Sequence, residues 1–310
     1  MRKIAVAFLI ASCLAPVVAT ADHPLGNIPW PNLLPPMPGV AAPAHPAEPC
    51  HPAKPRCVDG VIDDMVRAWE PQDASCDHRA VFALTYLITT QGFRGYLSDV
   101  RGSAFFEDEP GIIQLDRTFA NLYFAAVEQY IDGQAPPAWR IAFQAADSGR
   151  SNAIQDLFLG MNAHIQRDLP VALAAVGLVD ETGASRRADH NRVNEILSAV
   201  LDDIEDEVAA RYDSMISLFD ASPSPVDEEG ALEVLKSWRE GAWRNAERLT
   251  LAKSDAERAV VMQQIEAYAE TWARIISAAD FSFDSARRDA YCGQRNASRP
   301  PGGTKNANSA

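Results

Sequence analysis

Basic residues are scarce in this 310-residue chain, and their scarcity excludes two classes of partner. The sequence holds 28 Lys and Arg residues against 42 Asp and Glu residues, which gives a formal net charge of −14 at pH 7. Nucleic acids and anionic lipid surfaces both reward clustered Lys and Arg side chains. The composition therefore predicts a protein whose main partner is neither of these.

Long apolar runs are missing beyond the start of the chain. Arg2 and Lys3 precede the apolar stretch 4–18, and the small residues 19–21 form a signal-peptidase site. Residues 1–21 are thus predicted to be a signal peptide, and the mature protein to be secreted or periplasmic. The alternative is a lipoprotein acylated at Cys13, which would leave only a very short apolar core. No later stretch reaches the 18 uncharged apolar residues of a membrane span.

Strand patterns, internal repeats, Gly-rich phosphate loops and Gly-x-Ser-x-Gly elbows are absent as well. Apolar residues instead recur with the helical period of 3.6 through residues 57–293, which predicts a single all-α domain, a multi-helix bundle. Eleven prolines in 22–56 predict an extended, disordered leader, and the polar residues 294–310 predict a disordered tail. Helices are expected at 59–69, from 77, at 111–131, 139–146, 153 to a break near 170, 191–219, 228–251 and 255–279.

Four cysteines remain after removal of the signal peptide, namely Cys50, Cys57, Cys76 and Cys292. An even number in an exported chain indicates two disulfides, with three connectivities open. A straight helix over 58–69 would hold its ends about 17 Å apart, which disfavours a Cys57–Cys76 bond unless the next loop folds back. We favour a bond from Cys292 to the N-terminal region, with some free thiols as the alternative.

Two polar residues fall on or beside the apolar face of the helix that begins near residue 153. On a helical wheel Asp168 lies within the apolar stripe, and His164 lies at its edge. Their spacing of four residues places both side chains on one face, where they can touch each other or share one ion. Pro170 cannot donate to the carbonyl of Gln166, so we expect the helix to bend or stop beside them.

Two other helices carry a charge on an apolar stripe. Asp116 lies on the stripe of the helix at 111–131, and Arg239 lies on that of the helix at 228–251. Because buried charge is costly unless it is paired, we expect Asp116, Asp168 and Arg239 to meet, with Arg211 as a competing partner. A buried ion-pair network that only fixes helix register explains the same pattern.

The remaining polar candidates are weaker. Asn162 lies at the edge of the stripe and could bind a ligand or a neighbouring helix end, and Trp243 could line a pocket or fill the core. His78 and His190 are best explained by positions at helix starts.

Several segments together resemble one family of bacterial proteins of unknown function. They include Phe119-Ala120-Asn121-Leu122-Tyr123-Phe124 and Leu159-Gly160-Met161-Asn162-Ala163-His164-Ile165, the latter followed by Asp168-Leu169-Pro170. The resemblance spans about 58–280, and its signature is Met-Asn-Ala-His-Ile-x-x-Asp-Leu-Pro. It implies an all-helical fold but supplies no activity.

A fainter similarity concerns the zinc-dependent phospholipase C and single-strand nuclease families. Their His-x-x-x-Asp motif followed by Gln-Pro is partly matched by His164, Asp168 and Pro170. Those enzymes need several histidines for three zinc ions, whereas this domain has only His78, His164 and His190 outside the leader. At most a site for one metal is compatible with the sequence.

The sequence leaves two functional hypotheses. The first is an exported hydrolase-like enzyme that gathers His164, Asp168, Asp116 and Arg239, with one divalent metal ion on His164 and Asp168 or with those two residues as a base and its orienting partner. In that case a small molecule is the ligand, and Asn162 and Trp243 are candidates to bind it. The second is a non-catalytic binding or structural module in which the same groups lock the bundle.

Overall fold

The computed structural model describes residues 28–30, 53–214, 216, 228–280 and 282–298. The predicted signal peptide with Cys13, most of the leader with Cys50, and the tail from 299 onward lie outside the described residues. Within them the protein is all-α, as the apolar period predicted. The helices of this part do not combine the length and apolarity that crossing a bilayer requires.

The helices are numbered here in chain order. They are α1 (Arg56–Ser75), α2 (Arg79–Gly95), α3 (Ser98–Arg101), α4 (Glu109–Ile131), α5 (Pro137–Ser148), α6 (Ala153–Asn162), α7 (Leu169–Val176), α8 (Arg187–Ala199), α9 (Leu201–Arg211), α10 (Glu228–Leu251), α11 (Asp255–Ser277) and α12 (Ser282–Ala297). A π-helical segment, Ala163–Asp168, joins α6 to α7. Across the described ranges, the one β-type pairing is an isolated bridge between Val179 and Ser185.

The first predicted helix and the one predicted at 191–219 differ from those observed. The first, expected to end at residue 69, continues through Pro71 to Ser75. In place of the long helix expected at 191–219, two helices, α8 and α9, meet at Val200 and end at Arg211, and residues 215 and 217–219 lie outside the described residues. Val200 packs so closely on Gly92 of α2 that a Cβ on this glycine would overlap its side chain. The chain therefore bends where it touches α2, which periodicity alone does not indicate.

Pro170 does not end its helix. It sits in the first turn of α7, where a missing N–H costs little, and the chain stays helical to Val176. The expected break takes the form of the π-helical segment, in which the N–H of Leu169 bonds the carbonyl of His164, five residues earlier. This local widening sits beside both residues that the sequence selected.

Helix α6 occupies the centre of the bundle, with α2, α5 and α11 packed around it. Two of its polar side chains bond the backbone of the neighbouring helix α11 or the residues that follow it. Gln155 donates to the carbonyl of Ile276 at 2.6 Å, and Asn162 donates to that of Ala269 at 2.9 Å. These bonds fix α6 against α11 and leave its apolar stripe facing the other way.

A disulfide between Cys76 and Cys292 ties the start of α2 to α12, which confirms the expected link from Cys292 to the N-terminal region. Cys57 is also disulfide-bonded. Beside the Cys76–Cys292 bond, the fully buried Arg288 donates to the carbonyls of Cys76 and Asp77. Helix α12 continues to Ala297, past residue 293, where the domain was expected to end.

Candidate functional site

A cavity of about 210 Å³ lies between α2, α4, α6, α8, α9 and α10. Its wall is mostly apolar. The stripe of α6 and the π-helical segment supplies five of the lining side chains, and all five are only half-buried: Ile154, Leu157, Phe158, Met161 and Ile165. The apolar stripe has the spacing of a packed core, but its residues line the cavity.

His164 and Asp168 touch directly. His164 Nδ1 lies 3.1 Å from Asp168 Oδ2, which also accepts from Trp139 Nε1 at 2.8 Å. The other oxygen, Oδ1, accepts from Arg167 Nη1 at 2.8 Å. Asp168 is completely buried behind the cavity wall, and its carboxylate is an acceptor, so Nδ1 of His164 donates. This arrangement leaves Nε2 of His164 as an acceptor.

The imidazole of His164 is surrounded by aromatic rings. It stacks on Phe119 with 3.5 Å between centroids and 8° between planes, and the Tyr86 ring lies 4.5 Å away. Burial lowers the pKa of His164, although the bond to Asp168 opposes the shift, so the ring is neutral at pH 7. His164 lines the cavity, and its Nε2 bonds no partner in the described structure.

Three further polar atoms in the described wall are buried without a partner: Asp116 Oδ2, Tyr86 OH and Thr85 Oγ1. Burial raises the pKa of Asp116 to about 7, with the charge of Arg117 opposing the shift. Burial, together with the charges of Asp116 and Asp168, raises the pKa of Tyr86 well above its usual value. The phenol is therefore a hydrogen-bond donor, and the carboxyl of Asp116 gains or loses a proton near neutral pH.

Arg239 also lines the cavity, but it does not pair with Asp116 or Asp168 as expected. Its Nε donates to Asn194 Oδ1 at 2.7 Å, and its Nη2 donates to the carbonyl of His190 at 2.5 Å. Burial lowers the pKa of Arg239 to about 9. The expectation of pairing failed because the stripes meet around a space, which holds the charges apart.

The other selected residues lie away from the cavity. Asn162 is fully buried in its bonds to α11 and Gln166, and Trp243 donates to Glu247 Oε1 at 2.9 Å. Arg211 pairs with Glu207 at 2.6 Å, so it does not compete for either carboxylate of the site. The structure thus brings together Asp116, His164 and Arg239 around one cavity, with Asp168 behind His164.

Sequence reasoning missed Thr85 and Tyr86, because α2 is buried on nearly all sides and neither residue interrupts a polar–apolar pattern. It also missed a second buried polar cluster. There His78 Nδ1 lies 2.7 Å from Asp156 Oδ2 and its Nε2 lies 3.1 Å from Asp289 Oδ1, with Ser151 bonded to Asp156. This cluster joins the starts of α2 and α6 to α12 and has the character of a structural clamp.

A metal ion on His164 and Asp168 stays a prediction of the sequence. Within the described ranges, no group of three His, Cys, Asp or Glu side chains is placed to hold a metal ion. Both oxygens of Asp168 accept hydrogen bonds from protein donors.

Comparison with known proteins gives one result. The sequence model of a family described as "Family of unknown function (DUF5995)" matches residues 58–279, well over half of the chain. No curated protein and no solved structure matches, so the similarity to zinc-dependent phospholipases and nucleases gains no support. The shape and chemistry of the cavity are therefore the guide to what the protein does.

Proposed function

The chain belongs to this family of unknown function, DUF5995, and from its site we propose that it is an exported protein that encloses a small, largely apolar molecule in the central cavity. Export rests on the predicted signal peptide and agrees with the disulfide between Cys76 and Cys292.

One observation carries the proposal: the cavity has an apolar wall in which a few polar atoms, from Thr85, Tyr86, Asp116 and His164, are buried without partners among the described residues. Leaving such an atom unsatisfied costs about 1–3 kcal/mol. A concave apolar space with a few convergent polar groups is the usual form of a small-molecule site. A bound molecule with one polar group would supply the missing hydrogen bonds and fill the space.

The volume limits the size of this molecule. A cavity of about 150 Å³ takes up benzene. The cavity of about 210 Å³ therefore suits an apolar body of roughly two fused rings, or a chain of roughly eight carbons.

Binding can be measured by titration calorimetry with 2-naphthamide, a neutral two-ring probe. We expect saturable binding to the wild type and its loss in Leu157→Trp, where the larger side chain occupies the cavity. Val260→Trp, at an exposed position of α11, is the matched control and should bind like the wild type. Absence of saturable binding to the wild type, or equal binding by Leu157→Trp, contradicts the proposal.

A second candidate function, hydrolysis, is favoured by the unpartnered Nε2 of His164 backed by Asp168. In this reaction Nε2 would take a proton from a water molecule while the oxygen of that water adds to the carbonyl carbon of an ester. The bond to the leaving oxygen then breaks, and that oxygen receives the proton from the imidazolium. The version with a metal ion has less support, because Asp168 is fully engaged by protein donors.

The hydrolysis candidate is tested with 2-naphthyl acetate. We expect release of 2-naphthol by the wild type and loss of this activity in His164→Gln, which keeps a polar side chain of similar size. Titration with 2-naphthamide shows whether His164→Gln still binds. An unchanged rate in a variant that binds would mean that the protein holds its ligand without hydrolysing it.

A further inference from the structure

Arg239 differs from the other buried arginine of the described structure. Arg288 is completely buried and pairs with Asp289 at 2.9 Å. Arg239 is only 6% exposed, yet no carboxylate of the described residues lies within ion-pair distance of its guanidinium. Among the described residues, Arg239 is therefore a buried cation without a counter-ion.

The bonds that Arg239 does make are to neutral groups, the side-chain amide of Asn194 and the carbonyl of His190. His190 does not add charge, because burial and the neighbouring arginines lower its pKa well below the usual value. The remaining nitrogen, Nη1, donates to no side chain or carbonyl among the described residues. The two neutral bonds orient the guanidinium but do not balance its charge.

Arg239 lies between two spaces in the structure. Arg239 borders the central cavity from α10, and it also borders a surface groove beside Trp30, whose Nε1 bonds Glu233. Burying an isolated charge is costly unless the charge is paired. A ligand that brings its own negative group into the cavity would complete the missing pair.

We infer that the molecule held in the central cavity is an apolar carboxylic acid whose carboxylate binds Arg239. The inference rests on the proposed function and names its ligand class. Guanidinium and carboxylate match as a planar pair with two parallel hydrogen bonds. A singly charged group fits better than a phosphate, because Glu205 also lines the cavity and the chain has a net charge of −14.

Titration with two matched probes tests this inference. They are 2-naphthoate and 2-naphthamide, which share one ring system and differ in the charge of the head group. We expect the wild type to bind 2-naphthoate at least tenfold more tightly than 2-naphthamide. In Arg239→Met this preference should vanish or reverse, with the affinity for 2-naphthamide kept, which also shows that the variant is folded.

Two control variants sharpen the test. Arg244→Met lies on the same helix but removes an arginine that pairs with Glu240 and Glu247, so it should keep the preference for 2-naphthoate. Arg239→Lys keeps the charge without the planar pair of donors, and its preference should be intermediate.

The outcomes separate the two proposals. If 2-naphthamide binds but the wild type does not bind 2-naphthoate more tightly, the inference of a carboxylic acid ligand is overturned, while the cavity still binds apolar molecules. If neither probe binds, the proposed function itself fails. A preference that persists in a folded Arg239→Met variant also overturns the role of Arg239, and the wild-type comparison decides the case if that variant does not fold.

Discussion

Asp116 is a residue of the cavity wall whose protonation should change the stability of the fold. Its Oδ2 has no partner in the described structure, and its pKa in the folded chain is about 7. In an unfolded chain the pKa of an aspartate is about 3.9. Between these values the unfolded state releases a proton that the folded state keeps, so the free energy of unfolding falls as the pH rises from about 4 to 7.

We predict that Asp116→Asn removes this loss. Each pH unit in that window costs at most about 1.4 kcal/mol, so the variant should be more stable than the wild type by about 1–3 kcal/mol at pH 8. The difference should shrink towards zero at pH 4. Urea unfolding of both proteins at pH 4, 6 and 8 measures it.

The matched control for this prediction is Asp202→Asn, on the exposed side of α9, which should follow the wild type at every pH. The groups that face Asp116 are Tyr86 and His164 in the cavity wall and Arg117, whose charge opposes the rise in the pKa of Asp116. A difference between Asp116→Asn and the wild type that does not change with pH would mean that Asp116 is not the titrating group.

At the scale of helices, the crossing of α2 and α6 depends on one glycine. A Cβ added at Gly160 would lie closer than 3.0 Å to three atoms of Phe82, including its ring. The same phenyl ring lies 5.9 Å from the imidazole of His164. Close approach of the two helices therefore positions the ring that borders the candidate site.

We predict that Gly160→Ala lowers the free energy of unfolding by about 1–3 kcal/mol, because overpacking forces Phe82 and the helices to move. The control is Gly241→Ala, which is exposed on α10 with no atom within 4 Å, and which should gain up to about 1 kcal/mol from helix propensity. Urea unfolding compares the two variants. A Gly160→Ala protein as stable as the wild type would show that the helices are not in tight contact there.

The helices also show what sequence periodicity can and cannot determine. The helix at Glu228–Leu251 has the predicted bounds, because its apolar residues recur at the helical spacing over the whole range. The same spacing places Ile154, Leu157 and Met161 on an apolar stripe, and the structure shows that this stripe lines the cavity. A wall and a core both remove apolar surface from water, so their patterns are the same.

For the whole molecule, the fold class, the disulfide to Cys292 and three charged or polar residues of the cavity were predictable. Asp116, His164 and Arg239 could be selected because each interrupts or borders an apolar stripe. That Arg239 pairs with neither carboxylate could not be predicted, because it depends on how far the helices stand apart. Helix α12 is strongly polar, and the disulfide together with Arg288 and Ser285 holds it against the rest of the fold. These contacts join residues far apart in the sequence, so the local apolar pattern does not predict them.

The bond between Cys76 and Cys292 makes the body of the protein a covalent ring. Each described residue that lines the central cavity, from Phe82 to Arg239, belongs to this ring, whereas the leader and α1 lie outside it. A single cut of the backbone between α2 and α12 would open the ring without releasing either piece. A protein cut once by a protease would thus remain one molecule, with both halves of the cavity wall attached, until the disulfide is reduced.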